Sequence, residues 1–151
     1  MKKVIISFVL VLGLFFVVEA NAQTVSGSLG TIKRGVANKG TVTLSIPSGL
    51  HTNSNRPGGS YAIPTTVSVT SANAKVGGVS YPRGKNKNFS FSEGSLNIYE
   101  GTVKFTFNVT VPANFKGNSV KVRAVVRFQA CTDEVCYPPK TKDVILTASV
   151  K

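Results

Sequence analysis

Long apolar runs are scarce in this sequence. After Val18 no segment is apolar enough to cross a bilayer, which takes about 20 such residues. Basic clusters are missing too. Lys and Arg number 18 against 6 Asp and Glu, a formal net charge of +12, yet they never form a run longer than two. That scatter argues against nucleic acid as a partner. It fits a soluble basic surface with, at most, weak attraction to anionic envelope surfaces. No window of helical length carries a 3.6-residue period, so a helical fold is not indicated. No internal repeat and no domain boundary is visible, and 151 residues suit one domain. Histidine occurs once, at His51, and cysteine twice, at Cys131 and Cys136. Two Cys and one distant His make a poor metal set, so no metal is expected. Nor does any segment indicate a small-molecule or cofactor site.

What is present begins with a leader. Met1-Lys2-Lys3 is a short basic start, and Val4 to Val18 is apolar apart from Ser7 and Gly13. Ala20-Asn21-Ala22 then supplies an A-x-A arrangement of small residues. The pattern is that of a secretory signal peptide over residues 1–22, cleaved before Gln23. No Cys follows the site, which argues against a lipoprotein anchor. The expected mature domain is 23–151. Without Lys2, Lys3 and Glu19 it keeps 16 basic and 5 acidic residues, or +11. A chain of that length buries roughly 65–70% of its surface on folding and needs no covalent help. The compartment is expected to be oxidising, and a disulfide is permitted there.

The dominant pattern is period two. Val103, Phe105, Phe107, Val109 and Val111 alternate with Lys104, Thr106, Asn108 and Thr110. Val120, Val122, Ala124, Val126 and Phe128 alternate with Lys121, Arg123, Val125 and Arg127. Val42, Leu44 and Ile46, then Val67 and Val69, then Val144, Leu146, Ala148 and Val150 repeat it. Each such run predicts a strand with one buried and one wet face. Turn formers separate the runs: Pro47-Ser48-Gly49, Pro57-Gly58-Gly59, Gly77-Gly78 and Pro82-Arg83-Gly84. Six to eight short strands so arranged predict an all-β, immunoglobulin-like β-sandwich, with a small barrel as the alternative. Gln23 to Lys39 reads as a loose lead-in or a first edge strand.

Candidate chemistry lies at Cys131 and Cys136. A strong strand runs into Cys131, four residues follow, and the chain resumes extended after Cys136. The sulfurs are expected to face one another across a tight hairpin, and a disulfide is sterically reasonable. A ring of about six residues contributes only about 2 kcal/mol by loop entropy, little for a domain of this size. Alternation places Cys131 in phase with Lys121, Arg123, Arg127 and Gln129, the wet face. Redox exchange and a passive structural hairpin disulfide both remain open on these grounds. Asp133 and Glu134 disfavour a thiolate between them, and only Arg127, Lys140 or Lys142 folding toward the loop would offset them. The pattern therefore suggests a relay that waits for an activated thiolate on a partner. Tyr137-Pro138-Pro139 interrupts strand pairing beside Cys136. The result is either a rigid docking edge or ordinary edge protection against aggregation.

The segment from Gln129 through Pro139 resembles the active-site segment of the N-terminal periplasmic domain of the thiol:disulfide interchange protein DsbD family. His51 to Pro57, Tyr61 to Thr65, and Tyr99-Glu100-Gly101-Thr102-Val103 are similar to other parts of that family, and the resemblance runs from about Val42 to the C-terminus. It implies an immunoglobulin-like fold and a thiol:disulfide oxidoreductase of the protein-disulfide reductase type. It implies a relay from a thioredoxin-like or membrane donor to oxidised periplasmic proteins, including cytochrome-maturation thioredoxins. Carried over, Cys131 and Cys136 are the exchanging pair, with Cys136 forming the mixed disulfide and Cys131 resolving it. The family's aromatic cap loop matches Asn88 to Ser92, with Phe89 or Phe91 over the disulfide. Without the family, Phe89 and Phe91 read as an alternating strand pair facing the core. Four residues between the cysteines is a shorter loop than is usual in the family. The sequence holds neither a membrane electron-channel domain nor a thioredoxin domain, so a separate donor is expected, and the domain is expected to be a periplasmic monomer. His51 reads as a structural residue, or as part of a polar site with Asn53 and Asn55.

Overall fold

The computed structural model describes residues 22–151. The expected leader through Asn21 lies outside the described residues. Those described contain no helix and form eleven strands. They are β1 (Thr24–Ser28), β2 (Ala37–Ser45), β3 (His51–Asn53), β4 (Thr66–Thr70), β5 (Lys75–Val76), β6 (Lys85–Lys87), β7 (Leu96–Tyr99), β8 (Thr102–Thr110), β9 (Ser119–Phe128), β10 (Ala130–Cys131) and β11 (Lys140–Ser149). The long ones are those whose alternation is longest. The added ones, β3, β5, β6 and β10, have two or three residues each, too few to show a period. Gln23 to Lys39 contributes β1, an edge strand paired antiparallel to β2 from Thr24↔Ser45 to Ser28↔Thr41.

Two sheets carry the core of an immunoglobulin-like β-sandwich, ordered β1-β2-β8-β5 and β11-β9-β4. The register between β2 and β8 sets Val42 opposite Phe105 and Leu44 opposite Val103. That between β11 and β9 sets Leu146 opposite Val122 and Ala148 opposite Val120. The apolar phase of each strand is thereby sealed in one cluster, with Phe105 and Phe128 its largest fully buried side chains. Burial of that apolar area is the main driving force of folding. Gly40 faces Phe107 across the β2–β8 pair, and a Cβ there would overlap the Phe107 ring. The Phe105 ring makes edge-to-face contacts with Tyr81 and Tyr99, at centroid distances of 5.5 and 5.9 Å.

A third, smaller sheet, ordered β10-β3-β7-β6, positions the cysteines. It has its own apolar cluster of Phe89, Leu96 and Ile98. The chain reaches this sheet straight from β9. Phe128 still pairs with Lys140 of β11, whereas Ala130 pairs with Thr52 of β3. Gln129, between them, belongs to neither ladder. That one-residue break resets the alternation, because a shift of one position moves a strand's side chains to its other face. The expectation that Cys131 lies on the wet face is therefore wrong: Ala130 and Cys131 are both buried.

Candidate functional site

Cys131 and Cys136 form a disulfide, with Cα atoms 4.0 Å apart and an antiparallel bridge between the two residues. Between them the chain makes a tight turn. The Thr132 N–H donates to the Val135 carbonyl at 2.8 Å, and Thr132 Oγ1 accepts from the N–H groups of Glu134 and Val135. The Tyr137 N–H donates to the Ala130 carbonyl at 2.8 Å, which completes the hairpin. Pro138 and Pro139 then interrupt pairing until Lys140. The two sulfurs have unequal surroundings. Cys131 is 0% exposed, whereas Cys136 is exposed, as are Val135, Tyr137, Pro138 and Pro139.

Phe89 and Phe91 do not form a strand pair. They sit on the loop between β6 and β7, in a turn in which Ser92 N–H donates to the Phe89 carbonyl at 3.2 Å. Free of a pleat, both rings lie on one side. Phe89 stacks on Phe91 at 5.1 Å and on His51 at 4.5 Å between centroids, the latter pair inclined by 20°. Phe89 is buried and Phe91 is 37% exposed. Phe91 and Cys136 face the same open cleft of about 440 Å³, together with Tyr61, Ala62, Leu96 and Val135.

His51 lies directly opposite Cys131 in the β3–β10 register. It is 2% exposed, and its Nε2 is the one buried side-chain polar atom among the described residues without a hydrogen-bond partner. Burial lowers its pKa from the ordinary value of 6.5, and the nearby Lys87 ammonium lowers it further. Asp133 and Glu100 act in the opposite direction. Asn53 and Asn55 do not join it in a polar site. Asn53 Nδ2 donates to the Ile63 carbonyl at 3.0 Å, and Asn55 Oδ1 accepts from the Tyr99 hydroxyl at 2.8 Å.

The cation at the cysteine loop is Lys87, which sequence reasoning missed. Its Nζ lies 3.0 Å from Asp133 Oδ1, 3.8 Å from Glu100 Oε1 and 5.2 Å from the Phe89 centroid. Lys142 instead donates to the Gln23 carbonyl. Lys87 and Asp133 are 46 positions apart, so no local pattern announces the pair.

A β-sandwich that carries a short hairpin disulfide, one cysteine buried and the other exposed, defines a class of candidate thiol–disulfide exchange domains. The family model for the N-terminal part of the thiol:disulfide interchange protein DsbD matches residues 27–148, and the chain belongs to that family. It is 28% identical over 88 residues to the thiol:disulfide interchange protein DsbD of Actinobacillus pleuropneumoniae serotype 5b (strain L20). That match takes in 58% of this chain and 14% of the relative, so the chain spans only a small part of that protein's length. The N-terminal periplasmic domain of ScsB from Proteus mirabilis shares the fold, with a TM-score of 0.52 at 14% identity over 82% of this chain and 44% of that one. The reduced N-terminal domain of Neisseria meningitidis DsbD gives a TM-score of 0.45 at 18% identity, over 73% and 80%. The Cys131–Cys136 disulfide is consistent with thiol–disulfide exchange.

Proposed function

We propose that this domain is a periplasmic electron relay that accepts reducing equivalents from a thioredoxin-like donor and passes them to oxidised periplasmic proteins through Cys131 and Cys136. The observation that carries this reading is the asymmetry of the pair: Cys136 is exposed and Cys131 is sealed. A donor thiolate attacks Cys136 Sγ, the Sγ–Sγ bond breaks, and Cys131 leaves with the electron pair and takes up a proton. A second donor thiol then attacks the mixed disulfide, so the donor is oxidised and the domain holds two thiols. Discharge runs in reverse. The Cys136 thiolate attacks an acceptor disulfide, and Cys131 resolves the mixed species.

Phe91, at the cleft that Cys136 lines, and Phe89 behind it act as the cap over the disulfide. Tyr137, Pro138 and Pro139 form the docking edge, since all three are exposed and the two prolines have no N–H to pair. The domain works as a monomer without a cofactor, after removal of residues 1–22.

One observation favours the alternative, a passive hairpin staple: a buried Cys131 is what a structural disulfide would have. Trapping separates the two readings. A Cys131→Ser variant, reduced and mixed with an oxidised thioredoxin-fold protein, is expected to accumulate a mixed disulfide at Cys136. No trapped species would favour the staple.

A further inference from the structure

We propose that His51 is the general base of the resolving step, taking the proton of the Cys131 thiol as that sulfur attacks the mixed disulfide. The proposal rests on the exchange function above and assigns the group that prepares its buried sulfur.

Directly opposed residues of an antiparallel pair project to the same face, with Cβ atoms about 4.5–5.5 Å apart. His51 and Cys131 are such a pair, and both are buried. The neighbouring polar side chains of this sheet already have partners. Thr65 Oγ1 bonds Thr52 Oγ1 and the Asn53 carbonyl, Asn53 Nδ2 bonds the Ile63 carbonyl, and Ser54 Oγ accepts from the Arg56 N–H. His51 Nε2 alone has none. A buried polar atom left without a partner is costly, and native structures keep few of them. In the disulfide state Cys131 has no proton to offer. Reduction creates an S–H beside His51, and with it the missing donor. The stack on Phe89 holds the ring in place.

The charges around the ring suit both halves of the transfer. Burial, and then Lys87 of β6, favour the neutral imidazole, the form able to accept a proton. Asp133 in the cysteine turn and Glu100 after β7 favour the positive charge that the imidazole acquires. Tyr99 of β7 is occupied with Asn55 and the Pro82 carbonyl. Cys131 S–H gives its proton to His51, and Cys131 Sγ attacks Cys136 Sγ. The Cys136–partner S–S bond breaks, and the partner sulfur leaves as a thiolate. The two cysteines are oxidised to the disulfide while the partner's disulfide is reduced to two thiols, and the His51 proton passes on to solvent or to the leaving thiolate.

The test uses the reduced full-length protein and dithiobis(nitrobenzoate), an aromatic disulfide that releases one coloured thiolate at each exchange. The first release, by Cys136, depends on reagent concentration; the second, by Cys131, does not. The wild-type second phase is expected to reach its plateau before neutral pH. In His51→Phe, which keeps the stack, that phase should be slower near neutrality by about tenfold or more and keep rising toward the ordinary thiol range near pH ~8.5. The first phase should change by less than about twofold. His51→Gln, which accepts a hydrogen bond but takes no proton, is expected to behave alike and carries the test if the Phe variant fails to fold. An unaltered second phase and pH profile in His51→Gln would overturn the role of His51. A wild-type protein with no second phase would instead overturn Cys131 as the resolving sulfur, and the proposal with it.

Discussion

Lys87 Nζ lies 3.0 Å from Asp133 Oδ1 and 5.2 Å from the Phe89 ring centroid, so one ammonium joins the turn between the cysteines to the aromatic stack. The contact bridges elements that the backbone does not connect directly, and it sits at the rim, with 39% and 69% of the two side chains exposed. An exposed pair of this kind contributes about 1 kcal/mol at most and is screened by salt. Removing Lys87 alone would also leave Asp133 free to repel an attacking thiolate. The double variant Lys87→Met, Asp133→Asn removes the tie with no net change of charge. We predict that dithiothreitol reduces its disulfide faster than wild type, by less than about fivefold. Added salt should accelerate wild type toward the variant.

The cap predicts a separation between the two phenylalanines. Phe89 is part of a small buried cluster, so Phe89→Ala is expected to lower stability by about 3 kcal/mol. Phe91 is partly exposed and faces the cleft at Cys136, so Phe91→Ala should cost far less stability yet still speed reduction by small thiols. The double variant should be faster still. Identical reduction rates in Phe91→Ala, in the double variant and in wild type would remove the cap.

The fold is expected to survive without its disulfide. A ring this short contributes about 2 kcal/mol, whereas truncating a fully buried Phe costs about 3–5 kcal/mol. The Cys131→Ser, Cys136→Ser double variant should therefore remain a folded β protein by circular dichroism and lose less thermal stability than Phe128→Ala. Unfolding of the double serine variant would mean that the hairpin bridge carries the domain.

Burial of His51 makes stability depend on pH with a definite sign. Its folded pKa lies below the unfolded value of 6.5, so between the two the unfolded chain binds more protons. Stability then rises with pH across that window and falls as the medium is acidified below about 6.5. Denaturant titrations across the window should show this slope in wild type and lose it in His51→Phe. The same slope in both would place the effect on other groups.

Much of the fold is legible in the residues alone, and the exceptions have physical causes. β2, β8, β9 and β11 are long enough for alternation to identify the buried face, and Phe105, Phe128, Val122 and Leu146 lie where that alternation puts them. The turn formers at Pro47-Ser48-Gly49 and Pro57-Gly58-Gly59 lie outside the strands, with Gly49 and Gly58 at positive φ. Alternation fails at Cys131 because the chain changes sheets at Gln129, an event that leaves no local mark. It fails at Phe89 and Phe91 because a two-position spacing on a turn mimics a strand. The partnership of Lys87 with Asp133 and the placement of His51 beside Cys131 depend on pairings between distant segments, and these appear only once the sheets are assembled.

We propose electron exchange through Cys131 and Cys136 as the function of this domain. Its most direct test is the reduction potential of the pair, obtained by equilibrating the protein in graded glutathione and dithiothreitol buffers and counting alkylated thiols. We predict a value within about −120 to −270 mV, the range of dedicated exchange proteins; a value below about −300 mV, where structural disulfides lie, would contradict it.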